Sequence, residues 1–330
     1  MFKVVQIKAS QDGTYFEGYY MVAHVEEVDN GKAKPYLVLD ISDASGNISK
    51  AKMWNSSRST YPALQPGLVI YAKGQVKFYK GDFGIILSQI ETTIQQSSFN
   101  MEDFVPSFGE KSRVVAQSLI GKLVDKIPDQ DYKRLALWTL GLQEGSPSDW
   151  NSFCNSTAAA GYHHAKLGGL LIHTLGVSTV AEGVCNMYNV PDRTKSRIIF
   201  LALVHDIQKR DEYQTIPFIK RNKDLVLDHV ERGASYIELM NFLAGQVLGL
   251  EELLVCQKSL LLHHGQHSHY QLKEVYREQP PLEAKILHAC DEIDASMYQI
   301  LERDIEDTPS AELLYLKSVL REATSEGSSF

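Results

Sequence analysis

Between residues 14 and 93 apolar and polar positions alternate with a period of two. The runs YFEGYYMVAHVEEV, PYLVLDIS, NISKAKMW, LVIYAKGQVKFY and FGIILSQIETT predict five strands, punctuated by DNGK, SDASG, a polar stretch at 55 to 67, and KGD. Five short strands in about 80 residues suit a small barrel. In the third run Ile48, Lys50, Lys52 and Trp54 share one parity, whereas Ala51 and Met53 share the other. Ile48 and Met53 both have the character of core residues, so a bulge is predicted between them.

The stretch QQSSFNMEDFVPSFGE reads as a linker, and beyond it the period becomes helical. Helices are predicted near 110–126, 129–142, 168–188, 193–208, 223–242, 248–263, 281–303 and 310–322, with Pro147, Pro191, Pro217 and the pair Pro280 and Pro281 as breaks. No β-pattern of comparable strength returns, there is no internal repeat, and the polar end SEGSSF is expected to be disordered.

A chain of 330 residues accommodates two domains of common size. With 44% hydrophobic and 22% charged residues, and no apolar run of the roughly 18 residues a membrane span needs, a soluble protein without a membrane partner is expected. The start MFKVVQIKASQDG has no apolar segment behind a basic one, so a cytoplasmic location is the expectation. Cys154, Cys185, Cys256 and Cys290 lie far apart without CxxC spacing and read as reduced, packing thiols. The net charge of −8 argues against binding nucleic acid by bulk electrostatics, and its distribution sharpens that point. Residues 1–95 hold ten Lys and Arg against nine Asp and Glu, which leaves −9 for residues 96–330. Such a second half recruits a polyanion only through bound cations or a local basic strip.

Ten of the eleven histidines fall in the helical half or just before it. His173 in GGLLIHTLGV, His205 and Asp206 in LVHDIQK, His229 in LDHVERGA, His263 and His264 in LLHHGQ, and Asp291 in LHACDEIDA each sit within or at the end of an apolar helix. One such imidazole is usually a satisfied core histidine. Five apolar segments that each carry a His or Asp are harder to reconcile with a dry core, because an unpartnered buried polar group costs on the order of 1 to 3 kcal/mol. A shared metal centre removes that conflict. Imidazole with carboxylate suits divalent ions such as Mn²⁺, Fe²⁺, Co²⁺, Ni²⁺ or Zn²⁺. Seven ligands exceed what one ion with open positions needs, whereas two ions bridged by a carboxylate would use them, and such pairs serve phosphoester hydrolysis.

The order His, His-Asp, His, His-His, Asp resembles the HD-domain metal-dependent phosphohydrolases, and more closely the YhaM-type exoribonucleases, which join an N-terminal OB-fold to an HD domain. LVLDISDASGNISKAKMW is similar to the second and third OB strands, HHAKLGGLLIHTLGV to the segment of the first histidine, and LLHHG and PPLEAKILHACDEIDA to the later motifs. The fold class this implies is multidomain α and β: a five-stranded OB-fold barrel over 1–95, a linker over 96–110, and an all-α HD domain over 111–330. The resemblance implies that His173, His205, Asp206 and Asp291 hold a first ion. Asp206 then bridges to a second ion completed by His229, His263 and His264, with Mn²⁺ the foremost metal. Lys209 falls where the HD-x-G-K motif places a lysine near the scissile phosphate, which makes Asp206 and Lys209 the catalytic candidates. His163 and His164 match a His-His that precedes the first ligand helix and are candidate phosphate contacts. Three departures stand out: Gln208 replaces the motif's glycine, QHSHYQLKEVYREQ with His267 and His269 replaces the usual loop, and Asp294 competes with Asp291 as ligand.

An OB-fold grips single strands by stacking bases on aromatics beside basic residues. The candidates here are Lys50, Lys52, Trp54, Lys77, Phe78, Tyr79 and Lys80, of which VKFYKGDFG groups two lysines and two adjacent aromatics at a hairpin tip. The expected function is a metal-dependent phosphodiesterase that acts on single-stranded RNA or DNA. By resemblance it works from the 3′ end and releases 5′-mononucleotides, and a homo-oligomer is compatible with this reading. A hydrolase of nucleotides or cyclic dinucleotides, and a non-catalytic single-strand binder, remain alternatives.

Overall fold

The computed structural model describes residues 1–304 apart from 30, 32, 33, 162 and 269, so the predicted helix at 310–322, the C-terminal tail and His269 lie outside the described residues. It divides into two units, residues 1–107 with 215–219, and residues 108–214 with 220 onward. In the first unit a short helix, α1 (Val4–Lys8), precedes β1 (Tyr15–Val28), β2 (Tyr36–Asp43), β3 (Gly46–Met53), β4 (Val69–Tyr79) and β5 (Asp82–Glu91). These close into a barrel in the order β1-β2-β3-β5-β4, with β3 and β5 parallel and the other pairs antiparallel, which is a five-stranded OB-type barrel.

Alternation places Phe16, Tyr20, Leu39, Ile41, Val76 and Leu87 inside. The predicted bulge is present: Leu39 pairs with Ala51 but Ile41 with Ile48, so β3 carries one extra residue. Lys50 absorbs it with φ of 60°, and its N–H donates to Asp40 Oδ1 at 2.8 Å. Both Ile48 and Met53 therefore reach the core. At the tip between β4 and β5, Lys80 and Gly81 both have positive φ, the geometry of a two-residue hairpin turn.

The stretch read as a linker is partly built into the barrel unit. Residues 96–98 and 101–104 form single 3-10 turns. Phe104 is buried with Met21 and Val69, and Phe99 and Met101 pack beside it. The Phe104 carbonyl accepts from Ser42 Oγ at 2.8 Å, and that of Asp103 from Ala44 N at 2.9 Å. The aromatics of this polar-looking stretch decide its fate.

The second unit holds α2 (Glu110–Asp125), α3 (Gln130–Leu140), α4 (Trp150–Asn155), α5 (Gly169–Met187), α6 (Asp192–Val204), α7 (Lys209–Glu212), α8 (His229–Leu243), α9 (Leu250–Leu261), α10 (Tyr270–Glu278) and α11 (Leu282–Asp304). The only pairing described within it joins two-residue strands, β6 (Tyr213–Gln214) and β7 (Lys220–Arg221). This hairpin and the helices α4, α7 and α10 are not evident in the periodicity, being too short to show it. The helix predicted from 223 begins at His229, because the Asp228 side chain accepts from Val230 N and fixes the cap there.

At the centre runs α6, which touches α2, α3, α5, α9 and α11. Its run Ile198–Val204 is buried all round, each side chain larger than Ala202 contributing about 1.5 to 3 kcal/mol relative to exposure. The helix ends at the point where His205 and Asp206 begin, so the polar pair is delivered into the middle of the bundle. Nearby, a Cβ at Gly169 would fall on the carbonyl oxygen of His164, so α5 starts in direct contact with the turn that carries the histidine pair.

Gly169→Ala is expected to destabilise the protein by about 1 to 3 kcal/mol, read as a lower urea midpoint at unchanged slope. Gly183→Ala, on the exposed side of the same helix with open space around it, should leave the midpoint in place or raise it.

Candidate metal centre

Each candidate ligand is set by a helix end or a buried helix face. His173 stands in the second turn of α5, His205 and Asp206 follow α6, His229 is the first residue of α8, His263 and His264 follow α9, and Asp291 lies in α11. His173, His205, Asp206, His229 and His263 are all buried.

The Nδ1 atoms determine what the rings can do. His205 Nδ1 lies 2.9 Å from the Ala202 carbonyl and His263 Nδ1 2.6 Å from that of Leu260. His229 Nδ1 lies 2.6 Å from Glu212 Oε2, and His173 Nδ1 2.7 Å from Asp294 Oδ2. A carbonyl or carboxylate oxygen only accepts, so each Nδ1 carries the proton and each Nε2 of a neutral ring presents a lone pair. Those lone pairs converge on Asp206. Its Oδ2 is 3.3 Å from His173 Nε2 and 3.4 Å from His205 Nε2, and its Oδ1 is 3.3 Å from His229 Nε2 and 3.7 Å from His263 Nε2. Asp291 Oδ1 joins the first group at 3.1 Å from His173 Nε2.

Such an arrangement calls for cations. His173 Nε2 and His205 Nε2 face each other at 3.2 Å, and Asp206 Oδ1 and the Nε2 atoms of His229 and His263 are buried without a hydrogen-bond partner. Left so, each orphan costs on the order of 1 to 3 kcal/mol. Burial works against a charged His173, yet its bonds to Asp206, Asp291 and Asp294 outweigh burial and hold its pKa well above the usual range. The same carboxylates that favour a proton there favour a divalent cation. Two donor sets share Asp206 and fit metal ions: His173, His205 and Asp206 on one side, and Asp206, His229, His263 and His264 on the other; His163, His164 and His173 form a third cluster of converging donors without a carboxylate. His264 is half-buried, and burial pushes its pKa down to about 2, so it too is a neutral donor.

Lys209 is buried with Nζ 2.6 Å from Asp206 Oδ2. Burial disfavours both charges, but each supports the other, which keeps the carboxyl well below its usual range and the ammonium above its own. Gln208 adopts φ −82° and ψ −3°, ordinary right-handed backbone that needs no glycine. Asp294 is buried behind His173 on Nδ1, so Asp291, not Asp294, faces the convergence.

The histidine pair divides. His163 is half-buried, its ring centroid 5.0 Å from that of His173, and burial with the nearby His173 and Lys209 pushes its pKa down to about 3. His164 is fully buried, with its ring stacked on Tyr298 at 3.8 Å and Nε2 3.8 Å from Asp294 Oδ2. The expectation of a phosphate contact at His164 is therefore corrected: positive φ turns this side chain into the core. Sequence reasoning did not find Glu212, which is buried on His229 although it sits in the charge run KRDE and looks solvated.

On the barrel, Lys50, Lys52, Trp54, Phe78, Tyr79 and Lys80 are exposed and Lys77 half-exposed. Trp54 packs against Tyr36 with centroids 4.6 Å apart and Lys52 Nζ lies 5.5 Å over its ring. Phe78 and Tyr79 are 43% and 75% exposed, so both face solvent at the hairpin tip.

Residues 170–296 match the family model of the HD domain. The helical unit carries an HD domain. The chain is also similar along most of its length to curated exoribonucleases. It is 25% identical over 301 residues to the 3′-5′ exoribonuclease YhaM of Halalkalibacterium halodurans, covering 90% of this chain and 88% of the relative. Over 289 residues it is 25% identical to YhaM of Oceanobacillus iheyensis, covering 86% and 85%. A dihydroneopterin 2′,3′-cyclic phosphate phosphodiesterase of Methanocaldococcus jannaschii is 24% identical over 190 residues, or 55% of this chain and 70% of that one. No solved structure gives a significant match. The likeness to the YhaM exoribonucleases thus spans the barrel and the HD domain together. Among the described residues no helix is long and apolar enough to cross a membrane.

Removal of metal is expected to lower the melting temperature, since the orphaned atoms return. Mn²⁺ at a hundredfold excess over its Kd should add about 2.7 kcal/mol, or roughly 5 to 10 °C for a unit of this size. Calorimetric scans before and after EDTA check this, and Asp206→Ala should show no shift.

Proposed function

We propose that the protein is a metal-dependent 3′-5′ exoribonuclease of the YhaM type that degrades single-stranded RNA to 5′-mononucleotides. The observation that carries this reading is the convergence of imidazole lone pairs on the two oxygens of one buried carboxylate. The first ion is assigned to His173, His205, Asp206 and Asp291, and the second to Asp206, His229, His263 and His264. Both are divalent, with Mn²⁺ foremost. When bound, such ions supply Lewis-acid charge to a phosphodiester and lower the pKa of water.

The chain's own residues do the rest. Asp206 would be shared between the two ions, since its two carboxylate oxygens face different histidines. Lys209, held by Asp206, brings a fixed positive charge to the side of the site where phosphate charge develops. His163, neutral and half-buried, is assigned a hydrogen bond to a phosphate oxygen. On the barrel, Trp54, Phe78 and Tyr79 offer faces on which bases stack, and Lys50, Lys52, Lys77 and Lys80 lie among them for the backbone phosphates. Exposed aromatics beside lysines favour a polymer over a free nucleotide as substrate.

Incubated with Mn²⁺ and 5′-labelled single-stranded RNA, the protein should give a ladder that shortens from the 3′ end and is abolished by EDTA and by Asp206→Ala. Intact RNA together with hydrolysed nucleotides would overturn this assignment, and a DNA strand run in parallel reads the sugar preference. Replacing Trp54, Phe78 and Tyr79 together by Ala should weaken RNA binding by about 1 to 3 kcal/mol for each stacked base lost. Hydrolysis of bis-p-nitrophenyl phosphate by the same variant should stay within about twofold of wild type, a split that a folding defect would not produce.

A further inference from the structure

Glu212 is a buried acid for which the chemistry above has no task. Its Oε2 accepts from the backbone N of His229 at 3.0 Å and lies 2.6 Å from His229 Nδ1, while its Oε1 is 3.0 Å from Arg221 Nε. Its carbonyl accepts from Asn222 N at 2.7 Å, so it is tied both to β7 and to the residue that follows it.

The four buried imidazoles assigned to the ions differ in how they are held. His205 and His263 lean on main-chain carbonyls three residues back, which no substitution removes. His173 uses Asp294, buried in the middle of α11. His229 is the first residue of α8, so no preceding turn of helix supplies a carbonyl to its ring. An acceptor from elsewhere in the chain is required, and a carboxylate suits the place twice: it takes a free N–H of the helix start and sits at the positive end of the helix.

We propose that Glu212 is the positioning residue of the second ion site: clamped by Arg221, it holds His229 with the Nε2 lone pair toward Asp206 Oδ1. This rests on the two-ion reading given above. The site then has unequal halves, one framed by the long central helices and the other dependent on the hairpin of β6 and β7.

The test is calorimetric titration of the metal-stripped full-length protein with Mn²⁺. Wild type should take up two ions per chain. Glu212→Gln should keep the first affinity and lose about 10- to 100-fold in the second. Glu212→Ala should lose more than Glu212→Gln, whose amide oxygen still accepts. Arg221→Ala, a change at an exposed side chain, should weaken the second ion alone by a smaller factor and covers the case in which the Glu212 variants do not fold. Absorption of the Co²⁺-loaded protein should show the second half of the titration altered and the first unchanged. Unchanged affinity for both ions in Glu212→Gln, or equal weakening of both, overturns the proposal while leaving the two-ion reading intact. Fewer than two ions in wild type overturns both.

Discussion

The helical unit is arranged around one expensive choice, a carboxylate buried just past the apolar second half of the central helix α6. Asp206 is almost without exposure, and an isolated charge in that position would neutralise itself. It remains ionised because Lys209 lies against Oδ2 and histidines surround both oxygens. Each of those partners in turn needs a holder: carbonyls for His205 and His263, Asp294 for His173, Glu212 for His229. The cost of one buried charge thus propagates outward through two layers of hydrogen bonds to α11 and to the hairpin of β6 and β7. Without cations the inner layer still contains orphaned atoms, Asp206 Oδ1 and the Nε2 atoms of His229 and His263. Satisfying them is what links metal binding to stability here.

Much of this was legible in the sequence because the conflict itself is legible. A His or Asp within an apolar helical run is visible without coordinates, and five such runs imply a common partner. The strand periodicity likewise located all five strands, and the parity switch between Ile48 and Met53 predicted the bulge at Lys50. What the pattern could not show were features determined by position in space. Glu212 in KRDE has the composition of a solvated turn, yet the turn is folded inward against α8. His164 reads in the sequence as a phosphate contact, yet a positive φ sends it to Tyr298 and Asp294. The stretch at 96–104 has the composition of a linker, yet Phe104 finds an apolar site between Met21 and Val69. In each case one backbone angle or one contact outweighs composition.

The residue at position 208 shows how such dependence is limited. In the HD-x-G-K form of the motif a glycine stands between the metal-binding Asp and the lysine, and a chain that needed left-handed backbone there would not tolerate Gln. Gln208 has right-handed angles, and Lys209 N closes a turn onto the Asp206 carbonyl at 2.8 Å. The lysine is therefore placed by that turn and by its ion pair with Asp206, neither of which uses the side chain at 208. What Gln208 changes is local packing, because its side chain is itself buried. The placement of the positive charge depends on the same residue as the metal ligands, so glutamine at 208, which leaves Asp206 in place, leaves both contacts that fix Lys209 in place as well.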